Sequence, residues 1–228
     1  MKFPCLIVNL KNYREASGDD AGLFLDYAVD LLDLGVGVYV AVSPIDIARY
    51  ASGEEYREVL FSQVFDVVEY GSYTGHIPLS RLVDLGVKYS LLNHSEYKMP
   101  HENIKELVSA ASQRGLETVV CVDSVEELRK LIELGVKPAA YAIEPPELIG
   151  TGRSVSRYKP ETVLEAVKMG EENEVPVLCG AGVSSSDDVK AAMDLGVVGV
   201  LVASAIVKAD DPYITMKAMA EVLANYKK

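Results

Sequence analysis

Glu144 stands where an apolar run, Tyr141-Ala-Ile143, meets Pro145-Pro146, and Glu147-Leu-Ile-Gly-Thr-Gly152 follows directly. Proline cannot donate to a sheet ladder, so a strand that reaches this point must stop at the carboxylate. The stiff prolines, the apolar pair and the two permissive glycines together make 145–152 a candidate hinged lid. A carboxylate facing a lid is a candidate general base; its ordinary alternative is a surface ion pair beside a plain connector. Other chemistry-bearing residues also sit just past apolar runs. These are Asn9 and Lys11, Asn93-His-Ser-Glu96, Gly180-Ala-Gly182 and Ala203-Ser204. A lysine can offset charge on an anionic substrate or simply be a solvated loop residue. His94 can donate a proton or be a hydrogen-bonded structural histidine. Glycines at a strand-to-helix turn can shape the turn or let backbone N–H groups approach a phosphate.

These residues lie far apart in sequence, so the elements between them must bring them together. One joint recurs: Asp33-Leu-Gly-Val36, Asp84-Leu-Gly-Val87, Glu133-Leu-Gly-Val136 and Asp194-Leu-Gly-Val197. Each follows an amphipathic helical pattern and precedes a β-rich run, which puts the glycine at a left-handed helix C-cap. The spacings of 51, 49 and 61 residues fit two βα units each. Strands are expected at Cys5 to Leu10, Val36 to Val42, Val59 to Gln63, Lys88 to Asn93, Glu117 to Val122, Ala139 to Glu144, Val175 to Cys179 and Val197 to Val202. Helices are expected over Asp19 to Leu34, Ile45 to Tyr50, Leu79 to Leu85 and Glu102 to Arg114, then after Ser124 (with Glu127 completing a capping box), from Pro160, after Ser185 or Ser186, and from Asp211-Pro212. Only the stretch from Ser43 to Ser62 reads ambiguously. Eight strands alternating with helices predict an α/β (β/α)8 barrel, one domain over residues 1–228 with no linker or low-complexity segment. In such a barrel the C-terminal strand ends share one mouth, and every residue singled out above ends a strand.

The bulk numbers narrow the function. Twenty-two Lys and Arg against 34 Asp and Glu leave a net charge of -12, which argues against nucleic acid or a membrane surface as partner. No stretch reaches membrane-spanning length and the start lacks a signal-peptide pattern, so a cytoplasmic location is expected. Cys5, Cys121 and Cys179 have no CxxC or metal-type spacing and read as small apolar strand residues; no metal site is expected.

Taken in order, Asn9-Leu-Lys11, Tyr73-Thr-Gly75, Asn93-His-Ser-Glu96, Glu144-Pro-Pro-Glu-Leu-Ile-Gly-Thr-Gly152, Cys179-Gly-Ala-Gly182 and Gly199-Val-Leu-Val-Ala-Ser204 resemble the triosephosphate isomerase family, in its short archaeal form. The resemblance spans almost the whole chain. It implies interconversion of glyceraldehyde 3-phosphate and dihydroxyacetone phosphate through an enediolate, in glycolysis and gluconeogenesis, without metal or cofactor. By the same resemblance Glu144 is the base, His94 the proton donor to the carbonyl and Lys11 the compensating cation. Asn9 orients substrate, and backbone N–H groups at Ile149, Gly150, Gly182, Ala203 and Ser204 hold the phosphate. A helix start directly after His94 is expected to keep its imidazole neutral. Glu96 resembles a structural carboxylate near Lys11. The family's arginine after it is replaced by Tyr97-Lys98, which leaves open what ion pair forms there. The resemblance further implies a homodimer or homotetramer in which the loop carrying Thr74 reaches a neighbour's site. Two other readings remain at this point: a pentose-phosphate epimerase on the same scaffold, or a non-catalytic barrel that binds phosphorylated metabolites.

Overall fold

The computed structural model describes residues 1–148 and 154–226. Its strands are β1 (Cys5–Asn9), β2 (Gly37–Val42), β3 (Leu60–Ser62), β4 (Tyr89–Leu92), β5 (Glu117–Val122), β6 (Ala140–Ile143), β7 (Val177–Cys179) and β8 (Gly199–Val202). Between and after them lie α1 (Asp19–Asp30), α2 (Pro44–Tyr50), α3 (Leu79–Asp84), α4 (His101–Gln113), α5 (Val125–Glu133), α6 (Val155–Tyr158), α7 (Pro160–Glu172), α8 (Ser186–Asp194), α9 (Ser204–Val207) and α10 (Pro212–Asn225). Every neighbouring strand pair is parallel, and β1 pairs with β8 as well as with β2. The sheet therefore closes on itself, as the alternation of strands and helices predicts.

The recurring joint behaves as its glycine requires. Gly35, Gly86, Gly135 and Gly196 have φ of 79°, 80°, 77° and 95°, the left-handed region that glycine enters without a Cβ penalty. The Gly135 N–H donates to Ile132 O and the Val136 N–H to Leu131 O, the paired bonds that satisfy a helix's last carbonyls. At the first joint α1 stops at Asp30, and Leu31–Leu34 tighten into a 3-10 turn before Gly35 rather than continuing the helix. The stretch that reads ambiguously in sequence resolves as α2, whose Ser43 hydroxyl accepts from the Ile45 N–H, a 3-10 turn at Glu54–Tyr56 and the short β3. Strand β7 starts two residues later than expected because Pro176 has no N–H to give; its carbonyl still accepts from the Tyr141 N–H at 2.9 Å. Ser185 is the cap of α8, and Asp211 that of α10.

Side-chain alternation divides the core in two. Cys5, Ile7, Tyr39, Ala41, Phe61, Tyr89, Leu91, Val119, Cys121, Ala140, Ala142, Leu178 and Leu201 fill the barrel interior. The residues between them, such as Leu6, Val8, Val120, Tyr141 and Ile143, pack outward against the helices. Burying each large aliphatic or aromatic side chain contributes about 1.5–3 kcal/mol, so the closed ring is held from both sides. At the N-terminal end Phe61 and Tyr89 stack and Tyr39 packs tilted against both, with centroids 5.1–5.3 Å apart, and the three plug the floor. Two residues beyond the inner row, at the other end, the same inward side carries Asn9, Ser43, Gln63, Asp123, Glu144, Gly180 and Ala203. That row is the rim of the mouth. Among the described residues no helix is long and apolar enough to cross a membrane.

Candidate active site

A cavity of about 310 Å³ opens at this mouth, lined by Asn9, Lys11, Tyr13, His94, Glu144, Gly180, Gly182, Val183, Ser184, Leu201, Val202, Ala203, Ser204 and Ala205. Of the sequence-derived candidates, Asn9, Lys11, His94, Glu144, Gly182, Ala203 and Ser204 are in its wall, while Asn93, Glu96 and Thr74 are not. Ile149 and Gly150 lie outside the described residues.

Glu144 is 2% exposed and anchored at the end of β6 by its N–H, which donates to Val122 O at 2.7 Å. Its Oε1 lies 3.9 Å from His94 Nε2, so carboxylate and imidazole share one rim. Its Oε2 is buried with no hydrogen-bond partner among the described residues. The side chain rests on Gly180, where an added Cβ would come within 2.5 Å of Glu144 Cγ and 2.8 Å of Oε1. Here the glycine is required by close approach. Burial pushes the Glu144 carboxyl up to about 7, against the downward pull of the Cys121 thiol, Lys11 and Lys98. The group is therefore poised to take a proton near neutrality.

His94 is held in the neutral form, but not by the expected device. No helix starts after it. A turn closes with the Tyr97 N–H donating to His94 O at 2.7 Å, and α4 begins only at His101. Burial lowers the imidazole to about 4, with Lys11 and then Lys98 adding to the effect and Glu96 opposing it. The Glu96 N–H donates to Nδ1 at 3.2 Å. Because Nδ1 accepts, the single proton of the neutral ring sits on Nε2, the nitrogen facing Glu144.

Lys11 adopts φ 49°, an uncommon conformation for a residue with a side chain. Asn9 Oδ1 accepts its N–H at 3.0 Å, and Gln63 Nε2 donates to its carbonyl at 2.9 Å, to Ala41 O at 3.1 Å and to Asn9 Oδ1 at 3.3 Å. The ammonium meets Glu96 Oε1 at 2.6 Å, the carboxylate partner that the sequence suggests. Across the cavity Gly182 has φ 68°, and Ala203 precedes the one-turn helix α9. Gly182, Ala203 and Ser204 all line the cavity wall.

Sequence reasoning missed two features. Gln63 braces Asn9 and Lys11, and its place at the end of the third strand was the signal available. The second is the fate of Lys98. It pairs with Glu127 at 2.7 Å, so a lysine supplies the ion pair that the missing arginine leaves open. Glu127 is engaged there rather than in a complete capping box: Ser124 Oγ accepts the Glu127 N–H at 3.1 Å, while Glu127 Oε2 takes the Asp123 N–H at 2.8 Å in place of that of Ser124.

The arrangement places a base of raised proton affinity, a neutral N–H donor and a cation around one small cavity that has a backbone-lined end. Such a set can move a proton between adjacent carbons of a phosphorylated substrate. Comparison with known proteins agrees in scope. A family model described as triosephosphate isomerase matches residues 4–222. The chain is similar to proteins named triosephosphate isomerase from Pyrobaculum calidifontis (40% identical, covering 98% of this chain and 97% of that one) and Thermoplasma volcanium (41%, covering 94% and 98%). It is also similar to the one from Methanocaldococcus jannaschii (38%, covering 90% and 93%).

Proposed function

This chain belongs to the triosephosphate isomerase family, and we propose from that premise which of its residues perform the interconversion of D-glyceraldehyde 3-phosphate and dihydroxyacetone phosphate. Glu144 removes the proton from the carbon beside the carbonyl. His94, through its Nε2–H, donates to the oxygens on which charge develops, and Lys11 offsets the negative charge of the enediolate. Asn9 orients the substrate and, through its bond to the Lys11 N–H, the lysine itself. Backbone N–H groups of Gly182, Ala203 and Ser204, together with those of Ile149 and Gly150, grip the phosphate. Neutrality of His94 matters because the imidazole, rather than an imidazolium, then polarises the carbonyl through its Nε2–H, with the proton returned to the ring within the cycle. A glutamate base acting with a neutral histidine is the established chemistry of this family; its assignment to Glu144 and His94 here rests on the 3.9 Å approach across the cavity. That approach is the observation that carries the reading. A coupled isomerase assay with exchange of solvent deuterium into the substrate tests it: Glu144→Gln should cut both turnover and exchange by about 10²-fold or more, and exchange at the parent rate would remove Glu144 from the base role.

The protein works in glycolysis and gluconeogenesis, as one barrel domain in the cytoplasm and as at least a homodimer. A second cavity of about 390 Å³ adjoins Lys11 and His94 and is walled by Ser43, Pro44, Ile45, Gln63, Glu96 and Tyr97. Ile45 is 89% and Tyr97 61% exposed, as are Tyr70 and Tyr73 (57% and 47%) beside Thr74. Apolar surface next to catalytic groups supports a partner loop seated there, with Thr74 reaching the neighbour's site.

A further inference from the structure

The turn that carries His94 is pinned at both ends to one buried carboxylate that does not line the catalytic cavity. At its start Asn93 is 1% exposed and has φ 58°. This left-handed residue interrupts the strand alternation of β4, so that His94 rather than Asn93 faces the cavity. The Asn93 side chain is used almost to capacity: Oδ1 accepts the Met99 N–H at 3.0 Å, and Nδ2 donates to Cys121 O at 2.8 Å and to Glu127 Oε1 at 3.0 Å. At the far end of the turn Lys98 Nζ donates to both Glu127 oxygens at 2.7 Å. Glu127 is itself 7% exposed and fixed to the start of α5 through the Asp123 N–H. Between these two anchors lies Glu96, whose N–H meets His94 Nδ1 and whose carboxylate meets Lys11.

We infer that Asn93 and Glu127 are positioning residues for the reaction: by clamping the 93–99 turn they aim the Glu96 N–H at His94 Nδ1 and so select the Nε2–H tautomer that faces substrate. The inference deepens the proposed donor role of His94 and rests on it. The chain of dependence is short. Loosening either anchor lets the turn rotate, the Glu96 N–H leaves Nδ1, and the proton distributes between both ring nitrogens. Substrate binding through the phosphate end is untouched, because none of these groups reaches it.

Asn93→Gly is the direct test, since glycine accepts φ 58° without strain and removes only the side-chain bonds. We expect kcat to fall about tenfold or more with KM within about twofold, the signature of lost orientation. Nitrogen-15 spectra of the His94 ring, identified by loss of its signals in His94→Gln, should move from one tautomer to a mixture. Should Asn93→Gly fail to fold, Lys98→Met, at the more exposed anchor, is read in the same way. Glu127→Gln combined with Asn93→Gly should lose little more than either alone. Unchanged ring shifts and kcat in these variants, whatever their melting temperature, would overturn the positioning role while leaving the donor role standing. Full activity in His94→Gln would overturn the donor role and this inference together.

Discussion

The two oxygens of Glu144 are in different circumstances, and the difference bears on acidity and stability alike. Oε2 lacks a hydrogen-bond partner among the described residues, and burial holds the carboxyl at about 7 instead of 4.5. Between those values the folded chain binds more protons than the unfolded one, so stability falls as pH rises, by on the order of 3 kcal/mol once pH 7 is passed. His94 acts oppositely: folded near 4 and unfolded at 6.5, it makes stability rise with pH across that window. Glu144→Gln removes the first effect alone. Calorimetry from pH 4 to 8 should find it more stable than the parent at pH 8 and lacking the decline between 4.5 and 7; parallel profiles would contradict the burial argument. The same substitution should lower kcat by about 10²–10⁴-fold, the scale of general base catalysis. In the parent, kcat/KM should show an acid limb near pH 7, falling below it as Glu144 takes its proton. An acid limb at ordinary carboxylate values would show that burial does not tune the base.

Elements place these residues through two kinds of glycine, and the two should fail differently. At Gly135, with φ 77° and nothing within 4 Å of an added Cβ, alanine meets only backbone strain. Gly135→Ala should destabilise by about 1–2 kcal/mol, a drop of roughly 2–8 °C in melting temperature, with kcat unchanged. At Gly180 the added Cβ strikes Glu144, so Gly180→Ala should depress kcat about tenfold or more by displacing the base, out of proportion to any loss of stability. Equal kcat in parent and Gly180→Ala would show that the carboxylate adjusts freely. The Asp/Glu-Leu-Gly-Val joints were legible because a helix C-cap is a local event written in adjacent residues. The strand ends were legible for the same reason, since Pro145 and Pro44 mark two of them. What stayed hidden depends on contacts between segments distant in sequence: the Gln63 brace and the Lys98 pairing with Glu127. The neutral state of His94 was anticipated and its cause was not, because a turn and a short helix look alike in Asn93-His-Ser-Glu96 while burial by distant residues cannot be read there at all.

At the scale of the molecule, the proposed association is tested at the apolar surface beside Lys11. If a second copy seats its 67–76 loop beside Lys11, Ile45→Lys should shift the protein toward monomer in sedimentation and reduce activity, with the fall in activity tracking dissociation on dilution. A monomer of full activity would separate the site from assembly. The barrel itself carries a consequence for how the chain comes into being. Cys5 pairs with Gly199, and Val8 with Val202, so the ring is zipped by its first strand and its eighth. A nascent chain lacking β8 exposes two unpaired edges, and Asn9 and Lys11 have no fixed neighbour on one flank. Such a chain has no partial catalyst to offer the cell: it waits, with sticky margins, until β8 has left the ribosome, and then acquires shelter and chemistry in the same closing step.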